Sequence, residues 1–229
     1  MLGPGSAIGA PSRTQLDPAR CAPDQHTFSV AIDNPYSPMP VGREWVYLGK
    51  EQGQTLGLRI TVLDETETFH FGRVKVITRV VEEVEWEDTN ANGVADPGEL
   101  LEVSRNYFAQ TDEGTVCYFG EAVDIYEDGD IVSHEGAWRA DTKDNAPGIL
   151  MPAAPEPGMS FQQEVAPGVA EDQATIVRSG TDTLYDGTVV ETITVRDFNP
   201  LDGSRGTKVY ALGIGLIQDA AFELVTVTG

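Results

Sequence analysis

Alternation of apolar and polar residues in two long stretches is the feature that most restricts how this chain folds. Residues 55–63 place an apolar side chain at every second position, and residues 73–86 show a similar, less regular alternation over a longer run. Because successive side chains of a β-strand point to opposite faces, this period predicts two strands, each with one buried and one solvent-facing side. The expected buried faces are Leu56, Leu58, Ile60 and Val62 in the first stretch, and Val74, Val76, Val80, Val84 and Trp86 in the second, where Arg73, Lys75, Arg79, Glu83 and Glu85 would face water.

The remaining sequence is also typical of β structure. Short strand patterns recur from residue 100 to residue 227, and no segment shows a convincing period of 3.6 residues. The chain contains 24 glycines and 14 prolines, which favours many turns over long helices. We therefore predict one all-β domain over residues 27–229, preceded over residues 1–26 by a flexible leader rich in Gly, Pro, Ala and Ser.

Two parts of the chain resemble each other. Gly42 and Trp45 have counterparts in Gly158 and Phe161, and residues 72–76 resemble residues 187–190. One interpretation is a pair of repeated β-meanders, over residues 41–140 and 157–220, of which the first carries an inserted loop. The alternative is that short β motifs resemble one another by chance.

The inserted loop separates the second long strand from its return strand. It reads Asp88-Thr-Asn90-Ala-Asn92-Gly93-Val94-Ala-Asp96-Pro-Gly-Glu99 and satisfies the pattern D-x-[DN]-x-[DN]-G-x5-E at every defined position. Ca²⁺ takes about six to eight oxygen ligands, so the chain must wrap around it. The predicted ligands are the side chains of Asp88, Asn90 and Asn92, the carbonyl of Val94, Asp96 directly or through water, and Glu99 through both carboxylate oxygens. The alternative is a solvated acidic turn, since Asn, Asp and Gly are ordinary turn formers.

The calcium loop resembles those of EF-hand and dockerin modules, but its surroundings differ. An EF-hand needs a helix on each side of its loop, whereas Trp86 before this loop and Leu101, Val103 and Tyr107 after it favour strands. We therefore expect a metal-bound hairpin tip, which would fix the register of a long ribbon.

The charge of the chain excludes several classes of partner. Thirty-seven acidic residues against 15 basic ones give a formal net charge of −22. Such a surface repels nucleic acid and anionic lipid, so we predict no nucleic-acid partner. No apolar run approaches the roughly 20 residues that a membrane span requires.

The two cysteines, Cys21 and Cys117, either form one disulfide or remain as two buried thiols. A disulfide and a weak calcium loop would both suit an extracellular setting, so we expect a secreted, cell-surface or periplasmic protein. Residues 1–10 lack a basic region followed by an apolar one, which predicts that a signal peptide is absent from this chain.

Few residues have the pattern of a catalytic site. His134 beside Glu135 is the best candidate for a general base, although neighbouring residues of a strand point to opposite faces. Tyr118, Tyr126 and Trp138 could line a ligand pocket, and a place in the core is the alternative for each. Glu164, Glu171 and Asp172 could form an acidic cluster for a substrate or cation, but a solvated face is the favoured interpretation.

Two short motifs carry a resemblance to known proteins. Tyr210-Ala-Leu-Gly213-Ile-Gly215-Leu-Ile, together with Asn34-Pro35-Tyr36 and Gly42-x-x-Trp45-Val-Tyr47, is similar to sequences of uncharacterised exported bacterial proteins. Some of these resemble lipoprotein carriers, which implies an antiparallel curved sheet or open barrel around an apolar cavity.

We therefore expect an exported, calcium-stabilised β-domain that binds a small apolar ligand or a protein partner. The alternative is an extracellular hydrolase or lyase that uses His134 and a neighbouring acid, with calcium in a structural role.

Overall fold

The computed structural model describes residues 13–229 and consists almost entirely of β-strands. A short 3₁₀ helix at Pro18–Cys21 follows the first strand. The strands, in chain order, are β1 Thr14–Gln15, β2 Phe28–Ser29, β3 Glu44–Glu51, β4 Gln54–Phe71, β5 Val74–Glu87, β6 Leu100–Thr111, β7 Val116–Glu127, β8 Asp130–Ser133, β9 Trp138–Arg139, β10 Gly148–Met151, β11 Met159–Gln162, β12 Gln173–Thr183, β13 Val189–Phe198, β14 Arg205–Ala211, β15 Gly215–Asp219 and β16 Phe222–Thr228. Within this range no helix is long and apolar enough to cross a membrane.

All the strands belong to one curved sheet, which confirms the predicted fold class. The strand order is β1-β11-β12-β13-β14-β15-β16-β3-β4-β5-β6-β7-β10. It contains two consecutive antiparallel meanders, β3–β7 and β11–β16, which are joined where β16 pairs with β3. β1 adds to β11 in parallel, so the sheet is mixed. That the two meanders arose by duplication stays a prediction.

The two ends of this strand order lie close together without forming a continuous ladder. An isolated bridge joins Ala146, before β10, to Val165, after β11. Register irregularities interrupt the β4–β5, β5–β6 and β6–β7 ladders. Such bulges bend and twist a strand, which explains how one sheet curls back on itself.

A disulfide between Cys21 and Cys117 fastens the N-terminal segment to β7, which decides between the two alternatives left open by the sequence. Both cysteines are fully buried, and their Cα atoms are 5.7 Å apart. Within this segment Thr14 pairs with Met159 of β11. That residues 1–26 form a flexible leader stays a prediction. The rest of the leader, residues 1–12, lies outside the described residues.

The long strand β5 differs from its prediction in the face that is exposed. Val80, Val84 and Trp86 are buried as expected. However, Glu83 pairs with Ile60 of β4 and with Ser104 of β6, both of which are buried. Directly opposed residues of antiparallel strands share a face, so Glu83 points to the inside of the sheet rather than to bulk water.

Candidate functional site

An apolar cavity of about 100 Å³ lies within the curve of the sheet. Its walls come from both meanders: Ile60 and Phe108 belong to the first, and Tyr210 and Leu216 to the second. Because distant parts of the strand order line one space, the cavity occupies the concave side. Ser37, Pro38, Met39, Trp45, Tyr47, Val81, Glu83, Leu150, Lys208, Gly215 and Asp219 complete its lining.

Two aromatic residues of β3 form one wall, and their polar atoms are already satisfied. The indole N–H of Trp45 donates to the carbonyl of Ile214 at 2.9 Å. The hydroxyl of Tyr47 donates to the carbonyl of Leu216, also at 2.9 Å. Buried Trp and Tyr side chains usually need such partners. The rings are therefore held in place, and they offer apolar surface to whatever enters.

A second cavity of about 190 Å³ adjoins the apolar one and is rich in carboxyl groups. The two cavities share Glu83, Phe108, Leu150 and Lys208. The second is also lined by Asn106, Tyr118, Glu121, Gln163, Glu164 and Asp172. An apolar compartment thus lies directly beside a polar, acidic one.

Burial changes the titration of these carboxyl groups. It raises the pKa of Glu83 and of Glu164 to about 7, and that of Glu121 to about 8. Removal from water disfavours the charged form, and neighbouring acids add to the effect. For Glu121 those neighbours are Glu83 and Glu164. The acidic cavity therefore holds carboxyl groups that titrate near neutral pH.

Lys208 is the cation of this region, and it already has partners. Its Nζ lies 3.2 Å from an Asp219 oxygen and 3.7 Å from an Asp197 oxygen. Desolvation lowers the pKa of Lys208, but the carboxylates of Asp219 and Asp197 outweigh that effect and hold the pKa well above its usual range. Lys208 therefore remains charged and is already paired with Asp219 and Asp197.

The predicted calcium loop connects β5 to β6 as a compact turn, and Asp88 organises its first half. The Asp88 carboxylate accepts hydrogen bonds from the backbone N–H groups of Asn92 at 3.0 Å and Gly93 at 3.2 Å. The Asn90 and Asn92 side-chain oxygens accept from the backbone two residues further on, as in Asx turns. Both of their amide groups donate to one oxygen of Asp96, at 2.9 Å and 3.1 Å.

Glu99 closes the loop. One of its carboxylate oxygens accepts hydrogen bonds from the backbone N–H and the hydroxyl of Thr89. The other oxygen, Oε2, is buried without a hydrogen-bond partner in the described part of the chain. An unpaired buried carboxylate oxygen is costly, and a hard cation would satisfy it.

The remaining observations on metal binding are mixed. Asp88 is buried, whereas the Val94 side chain is 52% exposed at the loop tip. No group of three or more His, Cys, Asp or Glu side chains within residues 13–229 is arranged to hold a metal ion. The loop pattern also supplies the amide oxygens of Asn90 and Asn92 and the backbone carbonyl oxygen of Val94, which are not among those four side-chain types. All the candidate metal-ligand atoms of the loop are oxygens, which is the ligand type that Ca²⁺ prefers.

His134 contacts Asp124 rather than Glu135 in the structure. The His134 side chain is 69% exposed, and its Nδ1 lies 2.9 Å from an Asp124 oxygen and 2.8 Å from the carbonyl of Val123. Glu135 is exposed, and its backbone N–H donates a hydrogen bond to the hydroxyl oxygen of Ser133 at the end of β8. Neither residue lines the two cavities described above. A catalytic role for His134 with Glu135 or another neighbouring acid stays a prediction.

Of the three predicted pocket aromatics, the structure brings two together. Tyr118 and Trp138 are both buried and meet edge to face, with ring centroids 5.2 Å apart. Gly120 allows the backbones of β7 and β9 to approach closely, because a Cβ there would lie 2.5 Å from the carbonyl oxygen of Trp138. Tyr118 lines the acidic cavity, whereas Tyr126 lies near the tip of the β7–β8 hairpin, opposite Ile131.

Comparison with known proteins yields a weak structural similarity. No protein-family description matches the chain, and no curated protein does. Among solved structures, the chain is similar to a protein of Bacteroides fragilis NCTC 9343, which is described as exported and as having a YmcC-like fold. The two are 12% identical, the likeness covers 86% of this chain and 100% of the other, and the TM-score is 0.42. These values carry no argument about a ligand, a metal or a reaction, so function must be inferred from this chain's own geometry.

Proposed function

We propose that this chain is an exported binding protein that takes a small apolar molecule into the cavity of its curved sheet, with one Ca²⁺ stabilising the β5–β6 hairpin. The observation that carries the proposal is the apolar cavity, which both meanders line with rigidly held aromatic and aliphatic side chains. Binding sites of this kind are typically concave, mostly apolar and preformed.

The size of the cavity indicates the size of its occupant. An apolar cavity of roughly 150 Å³ can stay dry and bind benzene. The apolar cavity here measures about 100 Å³, and the adjoining one adds about 190 Å³. A single ring or a short branched chain is therefore the largest apolar group that we expect to enter without rearrangement.

Export is supported by the disulfide. Disulfides form and persist in oxidising compartments and are rare in the cytosol. The bond between Cys21 and Cys117 joins the N-terminal segment to the centre of the fold. A secreted, cell-surface or periplasmic location is therefore the setting that we propose.

Calcium binding is supported by the curled loop and by the buried, unpartnered oxygen of Glu99. Asp88, Asn90, Asn92, the Val94 carbonyl, Asp96 and Glu99 would hold the ion, whose contribution would be structural cross-linking of the hairpin. A protein partner, the other predicted occupant, stays a prediction.

Calorimetry with benzyl alcohol tests the cavity proposal. We expect saturable binding by the unmodified chain and its loss in Leu216→Trp, because the larger side chain fills the apolar cavity that Leu216 lines. Val189→Trp is the matched control, since Val189 is 67% exposed and adds the same indole to the surface. Equal binding by the two variants would mean that benzyl alcohol binds elsewhere.

A further inference from the structure

The acidic cavity has more carboxyl groups than its one cation can balance. Glu83, Glu121, Glu164 and Asp172 line it, and Lys208 is the positively charged residue in that lining. Lys208 already contacts Asp219 and Asp197, neither of which is among these four acids. The cavity lining therefore contains more acidic than basic side chains. Its surface is concave, and desolvation there makes an uncompensated charge costly.

A second observation comes from Asp172, which lines the same cavity. One of its carboxylate oxygens is buried and has no hydrogen-bond partner in the described part of the chain. Gln163, another lining residue, is only 7% exposed, so a polar amide also lies in this largely desolvated place. Buried polar groups are almost always hydrogen-bonded, so a polar atom left free beside the cavity supports a polar ligand there.

We propose that the acidic cavity binds the ammonium group of a small organic amine, whose apolar part occupies the adjoining apolar cavity. This inference rests on the proposed function, because it names the chemical class of the molecule that the apolar cavity takes. The two cavities share Glu83 and Phe108, so one short molecule can reach both.

An ammonium group matches the acceptors in the cavity. It carries three hydrogen-bond donors and one positive charge, and carboxylates accept such charge-assisted bonds strongly. The carbonyl oxygen of the Gln163 amide can supply a further acceptor. The ring of Tyr118, also in the lining, can contribute a cation–π contact.

A metal ion fits the same space less well. A divalent ion requires several oxygen ligands converging at about 2.0–2.6 Å. The cavity acids are not among any group of three or more His, Cys, Asp and Glu side chains arranged for a metal within residues 13–229. The carboxyl groups of this cavity are therefore better matched to an organic cation.

Calorimetry on the full chain at pH 8 tests the inference with benzylamine, which is protonated there, and with benzyl alcohol, its neutral counterpart. We expect benzylamine to bind at least about tenfold more tightly, the effect of one good charge-assisted hydrogen bond. In Glu164→Gln and in Asp172→Asn the preference should fall to about threefold or less, because benzylamine loses more affinity than benzyl alcohol does. Glu113→Gln, at an exposed acid of the β6–β7 turn, should keep the full preference.

The outcomes separate this inference from the proposed function. If benzyl alcohol binds as tightly as benzylamine, the apolar cavity is a binding site and the amine assignment is wrong. If neither compound binds, both proposals fall. A preference that Glu113→Gln removes as readily as Glu164→Gln would reflect the net charge of the chain and would also overturn the amine site. The melting temperature of each variant shows that it is folded before binding is compared.

Discussion

The backbone of Gly148 lies directly against that of Gln163, at the point where the two ends of the strand order meet. A Cβ atom at position 148 would lie 2.0 Å from the carbonyl oxygen of Gln163, and 2.4 Å from its carbonyl carbon. No side chain fits in that space. Glycine at this position therefore allows β10 to approach the segment after β11, and it places Gln163 in the wall of the acidic cavity.

Replacing Gly148 with alanine should destabilise the protein. The obstructing atoms belong to backbone, so the added methyl group must push the two ends of the sheet apart, at a cost of about 2–4 kcal/mol. Urea unfolding of Gly148→Ala checks this. Gly180→Ala is the control, because Gly180 is also within a strand but its nearest neighbour, the Thr192 hydroxyl oxygen, lies at an ordinary contact distance of 3.8 Å. Equal midpoints for the two variants would contradict the close approach.

Breaking the disulfide should cost a large part of the stability. Cys21 and Cys117 are 96 residues apart in sequence, and cross-linking a loop of that length stabilises the folded state by about 4–5 kcal/mol on the entropic account. The urea midpoint should fall when a reductant is added. The double variant Cys21→Ala with Cys117→Ala should start at the lower midpoint and not respond to reductant. Thiol titration shows whether the reductant has cleaved the bond. If the bond is cleaved and the wild-type urea midpoint does not change, this prediction is contradicted.

The stability of the protein should fall as pH rises from about 5 to about 8.5. Burial raises the pKa of Glu83, Glu164 and Glu121 from 4.5 to about 7, 7 and 8 in the folded state. The folded state therefore holds protons that the unfolded chain has released, so their contribution is complete below pH 4.5 and is lost as pH passes through the raised values.

The expected loss is about 1–3 kcal/mol in total, since one pKa unit corresponds to about 1.4 kcal/mol and solvent screens part of each interaction. Urea midpoints measured across this range check it. Glu164→Gln should flatten the dependence, whereas Glu113→Gln should leave it unchanged. Stability that rises over the same interval would show that these carboxyl groups are ionised at little cost in the folded protein.

Calcium should stabilise the protein by binding the β5–β6 loop. At a free concentration a hundred times Kd, binding to the folded state alone adds about 2.7 kcal/mol, or roughly 5–10 °C in Tm for a chain of this size. Thermal unfolding with Ca²⁺ and with a chelator measures the shift. Asp88→Ala and Glu99→Ala should abolish it, whereas Glu113→Ala, at an exposed acid in another hairpin turn, should retain it. The same shift in all three variants would place calcium elsewhere on this acidic surface.

The sequence predicted the strands well, but it could not predict what their polar faces contact. Alternation in residues 55–63 and 73–86 indicates two strands, and both are present within the longer β4 and β5. It does not distinguish a face that meets water from one that meets a cavity. Glu83 was therefore predicted to be solvated, and it instead lines both cavities. The curvature that causes this depends on bulges, which leave little trace in the order of residue types.

The acidic cavity was missed for a related reason. The sequence favours a solvated face for Glu164 and Asp172, since acidic residues lie mostly on the surface of proteins. Lys208 is the sequence feature that could have indicated a buried charged cluster. The chain has 15 basic residues against 37 acids, and Lys208 lies in a strand directly before Val209 and Tyr210. Its Asp219 partner comes from the next strand, and only the β14–β15 register brings the two together.

Strand geometry explains why the two candidate catalytic residues do not converge in the structure, and a catalytic role for them stays a prediction. His134 and Glu135 are neighbours in sequence at the end of β8, and the structure turns His134 towards Asp124 on the surface. The partners of a disulfide, by contrast, could be predicted from the sequence, because the chain contains two cysteines. Their proximity still required the fold, which brings the Pro18–Cys21 helix next to β7.

The most direct test of the central claim is a crystal structure of the full chain grown with benzyl alcohol. We predict that the ring occupies the cavity between Trp45, Phe108 and Leu150, with its hydroxyl directed towards Glu83 and the acidic cavity. Density for benzyl alcohol only on the outer surface, with the cavity closed or filled by water, would contradict the proposal that this curved sheet is a binding protein for small apolar molecules.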